Sequence, residues 1–158
     1  MDPRLDAYKA APKAAHAMIE LQKYVDSCGF DRLLMELVKT RASQINGCAF
    51  CLDMHTKDAR ALGESEQRLY ALDAWREAPF YSERERAALE WTEAVTLVAE
   101  GHVPDGVYDR VRQQFTADEL VNLTMAIVAI NGWNRLSIAF RAVPGSYTSK
   151  YEKLTKGA

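Results

Sequence analysis

The sequence lacks several features that define other classes of protein. No segment approaches the roughly 20 consecutive apolar residues that a membrane-spanning helix needs. The 20 basic and 22 acidic residues are interspersed and give a net charge of −2, so no basic stripe is available for nucleic acid. The first residues do not follow the basic-then-apolar order of a signal peptide. We therefore expect a cytoplasmic protein that binds neither membranes nor nucleic acid.

Cysteine is also scarce, since the 158 residues include three. Three cysteines without an export signal do not make a disulfide framework, and an odd number leaves at least one thiol outside any bridge within the chain. In a reducing compartment, two close cysteines more often serve catalysis, redox cycling or metal binding than structure. This directs attention to Cys48-Ala49-Phe50-Cys51, whereas Cys28 is interpreted as an inert thiol.

Strand-like alternation bounded by hairpin turns is missing as well, so we expect no β-sheet. Apolar residues recur instead at helical spacing, and capping residues divide the chain into segments. The predicted helices cover about residues 13–25, 31–46, 48–62, 65–78, 82–101, 104–114 and 116–142. The sequence thus predicts one all-α domain over residues 1–158. The tail, 144–158, has no clear pattern and is interpreted as an arm on a partner subunit or a frayed end.

The two cysteines of the motif are predicted to share one helix face, because they are three residues apart. Cys48 would open this helix, where unpaired backbone N–H groups favour a thiolate. His55 follows Cys51 by four residues on the same face and can accept its proton. A turn at Gly47 would bring Glu36 to His55, directly or through one water, to orient the imidazole. These four side chains, Glu36, Cys48, Cys51 and His55, are the candidate catalytic residues.

Other interpretations of the motif stay open at this point. Two cysteines at this spacing are in many proteins no more than small core residues. Cys48, Cys51 and His55 could also bind zinc with Glu36 as the fourth ligand, although no second Cys or His pair stands at zinc-finger spacing. A thioredoxin-like site is excluded, because its C-x-x-C needs a βαβ context and this sequence predicts no strand.

Glu36 followed by Cys48-Ala49-Phe50-Cys51-Leu52-Asp53-Met54-His55 resembles the E-x11-C-x-x-C-x3-H signature of the AhpD-like alkylhydroperoxidases, within the carboxymuconolactone decarboxylase superfamily. Residues 41–47 and 130–135 also resemble segments of that family, and the likeness covers about residues 15–143. The resemblance implies an all-α fold that assembles as trimers or hexamers and reduces hydroperoxides. It implies that Cys51 attacks the peroxide and becomes a sulfenic acid, that Cys48 resolves it as a disulfide, and that a dithiol partner of the lipoyl-protein type reduces the disulfide.

The helix dipole alone favours Cys48 as the nucleophile, but the spacing to His55 and the resemblance both favour Cys51, which is assigned that role. Phe50 stands where the namesake enzymes carry a histidine, so part of their proton relay is absent here. The decarboxylase branch lacks the cysteine pair, so lactone decarboxylation is not expected. The two alternative functions are a non-enzymatic redox sensor and a structural zinc protein.

Some residues outside the motif also carry expectations. Asn131, Asn134 and Arg135 interrupt an otherwise apolar helix, and buried polar groups need partners, so we expect them at an interface or around the active site. Phe50 and Met54 are expected to form an apolar wall around the thiols. No cofactor is expected, because the three tryptophans are interpreted as packing residues; His16 and His102 have no companion at ligand or triad spacing. The three tryptophans are Trp75, Trp91 and Trp133.

Overall fold

A computed structural model of the chain describes residues 2–152, and this part of the chain folds into α-helices without any strand. The all-α prediction is therefore confirmed. The helices are α1 Ala7–Ala10, α2 Pro12–Ser27, α3 Arg32–Asn46, α4 Ala49–Ala61, α5 Glu66–Tyr70, α6 Glu83–Thr96, α7 Val98–Gly101, α8 Asp105–Gln114 and α9 Ala117–Phe140, with a 3-10 turn at Leu72–Ala74. Across residues 2–152, no helix combines the length and apolar character that crossing a lipid bilayer requires.

Side-chain caps fix where several helices begin, as the sequence predicts. The Asp31 carboxylate accepts a hydrogen bond from the Leu34 N–H at 2.9 Å and so begins α3. Complete capping boxes begin α6 and α9, in which Ser82 or Thr116 exchanges hydrogen bonds with the glutamate three residues later. Each cap satisfies backbone N–H groups that the helix itself leaves free and contributes about 1 kcal/mol.

Four features differ from the predicted ones, the first being that α5 and the 3-10 turn at Leu72–Ala74 replace the predicted helix 65–78. The predicted helix 82–101 is divided, because Leu97 leaves helical dihedral angles (φ −96°, ψ 28°) between α6 and α7. The short helix α1 is added before α2, with Asp6 capping it. Cys48 does not open α4 but is its N-cap, with extended backbone angles (φ −85°, ψ 94°). The last difference matters for the chemistry, because an N-cap side chain faces the first N–H groups of its helix.

Helix α3 lies at the centre of the fold and packs against α4, α6 and α9. Its Val38 belongs to an apolar cluster formed with α2, α6, α8 and α9. Its Leu37 belongs to a second cluster, formed with α4, α6 and the segment around Trp75. Both side chains are fully buried, which stabilises each by about 1.5–3 kcal/mol relative to exposure. Helix α3 is therefore a rigid support for the polar side chains that it also carries.

The described part of the C-terminal segment packs on helix α4 of its own chain. Residues 144–152, here called the C-terminal strap, run along α4 of the same chain. The Gly145 N–H donates to Asp53 Oδ2 at 3.0 Å, and the Ser149 hydroxyl donates to Asp58 Oδ1 at 2.6 Å. The polar groups of this segment thus find partners on α4, and a role at a partner subunit stays a prediction. Residues 153–158 lie outside the described residues.

Candidate active site

The two thiols of the motif meet at the junction of α3 and α4. Gly47 ends α3 in the left-handed conformation (φ 67°), which L side chains adopt with strain, and reverses the chain. Cys48 then caps α4, and its Sγ accepts a hydrogen bond from the Cys51 N–H at 3.4 Å. Both cysteines are 1% exposed and pack with Ala42 and Ile130. The pair is therefore reduced, adjacent and shielded from bulk solvent.

Aromatic residues flank the cysteine cluster on its outer side. Phe50 and Trp133 are partly buried and pack against it, so Phe50 forms the apolar wall that the sequence predicts. Met54 is half-buried but is not part of this cluster. Tyr8 of α1 stacks on Trp133, with ring centroids 6.4 Å apart.

The two thiols perturb each other's ionisation. A hydrogen bond from the Cys51 side chain lowers the pKa of Cys48 to about 7, although burial opposes this shift. The Cys51 N–H and the side chains of Ser137 and Asn134 lower it further. The pKa of Cys51 is raised, first because its S–H donates to Cys48 and then because of burial. These effects favour ionisation of Cys48 over ionisation of Cys51.

Asn134 is the neutral group that the fold aims at the thiols. It is fully buried, and its Oδ1 accepts from Asn46 Nδ2 at 2.9 Å. Its Nδ2 donates to Ser43 Oγ at 3.1 Å and lies on the side of the sulfurs. Asn131 is one step removed, since its Oδ1 accepts from the same Asn46 amide. Arg135 is exposed and donates to Asn131. Of the three polar residues predicted on this helix, Asn134 is the one that reaches the sulfurs.

Glu36 and His55 form a direct hydrogen bond across the α3–α4 pair. His55 Nδ1 lies 2.7 Å from Glu36 Oε2, and both residues are buried. Lys39 Nζ donates to the other carboxylate oxygen, Oε1, at 3.0 Å. Burial opposes ionisation of Glu36, but its bonds and charge interactions with His55 and Lys39 outweigh that effect and lower its pKa to about 2. Glu36 is therefore a carboxylate at any physiological pH.

Two charged residues beside this pair escaped the sequence analysis. Lys39 follows Glu36 by three residues and is 5% exposed, and Asp58 follows His55 by three residues and is 3% exposed. The strap covers Asp58, whose carboxylate accepts from the hydroxyls of Tyr147 and Ser149. Helical spacing from a candidate residue was the signal for both, because it places them on the same buried face.

The predicted zinc ligands do not form a compact set. In residues 2–152, the group of potential ligand atoms that lie within 4.8 Å of one another comprises Glu36, His55 and Asp58, and neither cysteine belongs to it. The Glu36 oxygens already bond to His55 and Lys39, and the Asp58 oxygens accept from hydroxyls of the strap. Glu36, His55 and Lys39 thus form a hydrogen-bonded network, and the two thiols form a separate cluster.

The other cysteine and histidines lie apart from this network. The Cys28 thiol donates to the Val25 carbonyl at 3.0 Å near the end of α2. His16 lies on the surface, 3.4 Å from Glu20. His102 ends α7 with a positive φ of 52°.

Known proteins share this fold and much of this sequence. Residues 12–94 match the profile of the Carboxymuconolactone decarboxylase family. Uncharacterized protein YdfG of Bacillus subtilis is 48% identical over 139 residues, which cover 88% of this chain and 95% of that protein. A crystal structure from Agrobacterium tumefaciens, of a protein of unknown function whose description names antioxidant defence and AhpD, gives a TM-score of 0.89 at 44% identity, covering 92% of this chain and 100% of that one. The debrominase Bmp8 gives a TM-score of 0.76 at 19% identity, covering 93% and 77%, which shows a shared fold.

Proposed function

The chain belongs to the carboxymuconolactone decarboxylase family and has the helical fold of its AhpD-like members, and from this premise we propose that it is a thiol-dependent hydroperoxide reductase. One observation carries the proposal. A buried pair of thiols, one with its pKa lowered to about 7, precedes by one turn of α4 a buried histidine whose Nδ1 lies 2.7 Å from a carboxylate oxygen. Thiolates are the reactive form toward peroxides, so this arrangement favours peroxide reduction near neutral pH.

In the first step, one sulfur of the pair attacks the terminal oxygen of a hydroperoxide ROOH. His55 takes one proton from the pair, and the remaining proton is shared between the two sulfurs. The thiolate forms an S–O bond, the O–O bond breaks, and the imidazolium returns its proton to the departing RO⁻. The products are a sulfenic acid and the alcohol ROH, so the sulfur is oxidised by two electrons and the peroxide is reduced by two.

We assign the attack to Cys51, although the resting charge lies on Cys48. A single proton transfer from Cys51 to Cys48 moves the thiolate to Cys51, one helical turn from His55. An imidazolium at His55 favours that form, because opposite charges stabilise each other most strongly in a buried site. Attack by Cys48 is the competing assignment, and single-cysteine variants distinguish the two.

In the second step, the other thiol of the pair displaces hydroxide from the sulfenic acid. A disulfide forms between Cys48 and Cys51, and one water molecule leaves. A dithiol partner then reduces this disulfide by thiol–disulfide exchange and is itself oxidised to a disulfide. We propose a lipoyl-type protein as that partner, the reducing cytoplasm as the compartment and a trimer or hexamer as the assembly.

Peroxide consumption by cysteine variants tests the function. With cumene hydroperoxide and excess dihydrolipoamide, we expect the wild-type chain to turn over many times. C48S and C51S should both lose multiple turnover, while C28S, the matched control, keeps it. Full turnover by either C48S or C51S would contradict the proposal. A wild-type chain that forms one disulfide per peroxide but shows no turnover with any dithiol would instead support the redox-sensor alternative.

Sulfenic acid trapping then assigns the two sulfurs. A stoichiometric amount of peroxide is added in the presence of dimedone, and the modified residue is located by mass spectrometry. We expect a dimedone adduct on Cys51 in C48S and little adduct on Cys48 in C51S. The reverse pattern would give the attack to Cys48.

A further inference from the structure

Lys39 is a buried cation that the proposed chemistry has not yet used. Its side chain is 6% exposed and lies between two carboxylates, with Nζ 3.0 Å from Glu36 Oε1 and 3.8 Å from Asp26 Oδ1. Lysine is almost never fully buried unless it is paired. The burial of the Lys39 ammonium group therefore goes together with its pairing to carboxylates, and its bond to Glu36 calls for an explanation.

A cavity also reaches the Glu36 carboxylate. It has a volume of about 400 Å³ and is lined by Glu36 and Lys39 together with Asp26, Arg32 and Lys150. Neither cysteine lines it, and His55 does not line it. Glu36 thus stands between His55 on one side and this cavity on the other. Water in the cavity would reach the Glu36–Lys39 pair without passing the sulfurs.

The charged groups around Lys39 are already balanced in pairs. From α2, Asp26 faces both Lys39 and the strap residue Lys150, whose Nζ lies 3.4 Å away. From α3, Glu36 bonds to Lys39, and the Arg32 guanidinium stands over the Tyr151 ring at 5.7 Å. From α4, His55 faces Glu36. Asp58, also on α4, accepts hydrogen bonds from the hydroxyls of the strap residues Tyr147 and Ser149.

This arrangement answers a difficulty in the Glu36–His55 pair. A buried carboxylate is costly unless a cation compensates it. If His55 were the sole partner of Glu36, the imidazole would have to stay protonated to provide that compensation. A protonated imidazole cannot accept a proton from a thiol. With an ammonium group on Glu36 Oε1, the carboxylate stays compensated while the ring is neutral.

We propose that Lys39 is a positioning residue that keeps Glu36 ionised and independent of the charge on His55, so that His55 is free to act as the base for the thiols. The proposal rests on the function proposed above. Lys39, Glu36 and neutral His55 together carry no net charge. When a proton moves from the thiol pair to His55, the new positive charge is matched by the new thiolate. The net charge of the buried set therefore stays constant through the step, which avoids the cost of creating an uncompensated charge in the interior.

The test compares variants at position 39 in the full-length chain. K39M removes the charge and retains the apolar length, K39Q retains a hydrogen-bond donor without the charge, and K39R retains the charge. K150M is the matched control, because Lys150 lines the same cavity but bonds to Asp26 rather than to Glu36. Titration of the His55 ring is followed by NMR, and peroxide turnover is measured over the same pH range.

In K39M and K39Q we expect the pH at which the His55 ring titrates to rise by about one unit, since the ring becomes the remaining cation for Glu36. The acidic limb of the kcat/KM profile should move to higher pH with it, so that kcat/KM falls by up to about tenfold at pH values below the titration. K39R and K150M should keep both wild-type values. An unchanged His55 titration in folded K39M or K39Q would overturn the proposal. If K39M does not fold, K39Q decides.

The two proposals fail in distinguishable ways. Absence of turnover in the wild-type chain would refute the peroxidase function whatever position 39 contains. The His55 titration does not depend on turnover, so it decides the role of Lys39 separately. A loss of turnover in K39M that K39R does not restore, with the titration unchanged, would mean a structural role only.

Discussion

The candidate site has two halves: a thiol half around Cys48 and Cys51, and a charged half around His55, Glu36 and Lys39. Different kinds of group support each half. The groups that touch the sulfurs of Cys48 and Cys51 are neutral, namely a backbone N–H and the side chains of Asn134 and Ser137. The partners of His55 are charged, because Glu36 bonds to it and Lys39 bonds to Glu36. Neutral donors stabilise a thiolate while allowing its proton to move, whereas the paired charges hold one geometry. The comparison indicates that the thiol half adjusts its charge and the other half stays fixed.

Removal of His55 should break the link between the halves and have the largest effect. H55A leaves Glu36 paired with Lys39, so the charged half stays compensated and the fold should persist. Without a base, we expect kcat/KM for peroxide to fall by about 10²- to 10⁴-fold. H16A is the control, because His16 is a surface histidine that contacts Glu20. Turnover of H55A close to that of H16A would remove His55 from the mechanism.

Replacement of Asn134 should perturb the neutral half alone. N134A removes an amide that lowers the pKa of Cys48 and leaves Asn46 and Ser43 without that partner. We expect alkylation of the pair by iodoacetamide to shift to higher pH, and the free energy of unfolding to fall by about 1–3 kcal/mol.

R135A is the matched control for N134A, since Arg135 lies on the same helix but is exposed and bonds to Asn131. Its alkylation profile and urea midpoint should equal those of the wild-type chain. If N134A alkylates with the wild-type pH profile, Asn134 supports the fold and does not tune the thiols.

The fold was largely predictable from the sequence because its signals are local. Helical spacing of apolar residues and the caps at Asp31, Ser82 and Thr116 depend on neighbours within a few residues. The closeness of Glu36 and His55 followed from one turn at Gly47 between two helices. The structure shows that they touch, and their catalytic role stays a prediction.

The features that escaped prediction depend on distant residues. The strap has no helical periodicity, and it is held by bonds from Tyr147 and Ser149 to Asp58, 89 and 91 residues away. The shift of charge toward Cys48 depends on Asn134, which a different helix supplies. A lysine on a helix is ordinarily exposed, so the burial of Lys39 needed the packing of α2 and the strap.

As pH rises, the free energy of unfolding of the reduced chain should pass through a maximum that the two thiols determine. Cys48 has a lowered pKa of about 7, so between pH 7 and its unfolded value near 8.5–9 the unfolded state binds more protons and stability rises with pH. Cys51 has a raised pKa, so above that range the folded state retains the extra proton and stability falls. Urea unfolding with a reductant present, from pH 6 to 10, measures this.

The matched variant for this pH profile is C48S, which removes the lowered group and the partner of Cys51 together. Its stability should vary less with pH across the same range. Glu36 should contribute almost nothing there, because its pKa of about 2 keeps it ionised throughout this range. A maximum of equal height in C48S would show that the pH dependence has another origin.

The smallest expected effect tests where the charged half ends. Tyr147 donates to both oxygens of Asp58, at 2.9 and 3.1 Å, while Ser149 donates to one of them at 2.6 Å. Y147F removes one hydroxyl and leaves the other, so we expect unfolding free energy to fall by about 1 kcal/mol and turnover to change less than twofold. The effect on stability should persist to high pH, since burial raises the pKa of Tyr147 to about 12 and the hydroxyl stays protonated below that.

Y70F is the control for this substitution, because Tyr70 is exposed and its hydroxyl bonds to Glu66 at 3.2 Å. It should leave both the urea midpoint and turnover at wild-type values. A tenfold loss of turnover in Y147F would place Asp58 and the strap among the groups that hold His55. Loss of stability alone would mean that the strap hydroxyls stabilise Asp58 without any effect on His55. Glu36 and Lys39 would then be the charged groups that influence the histidine.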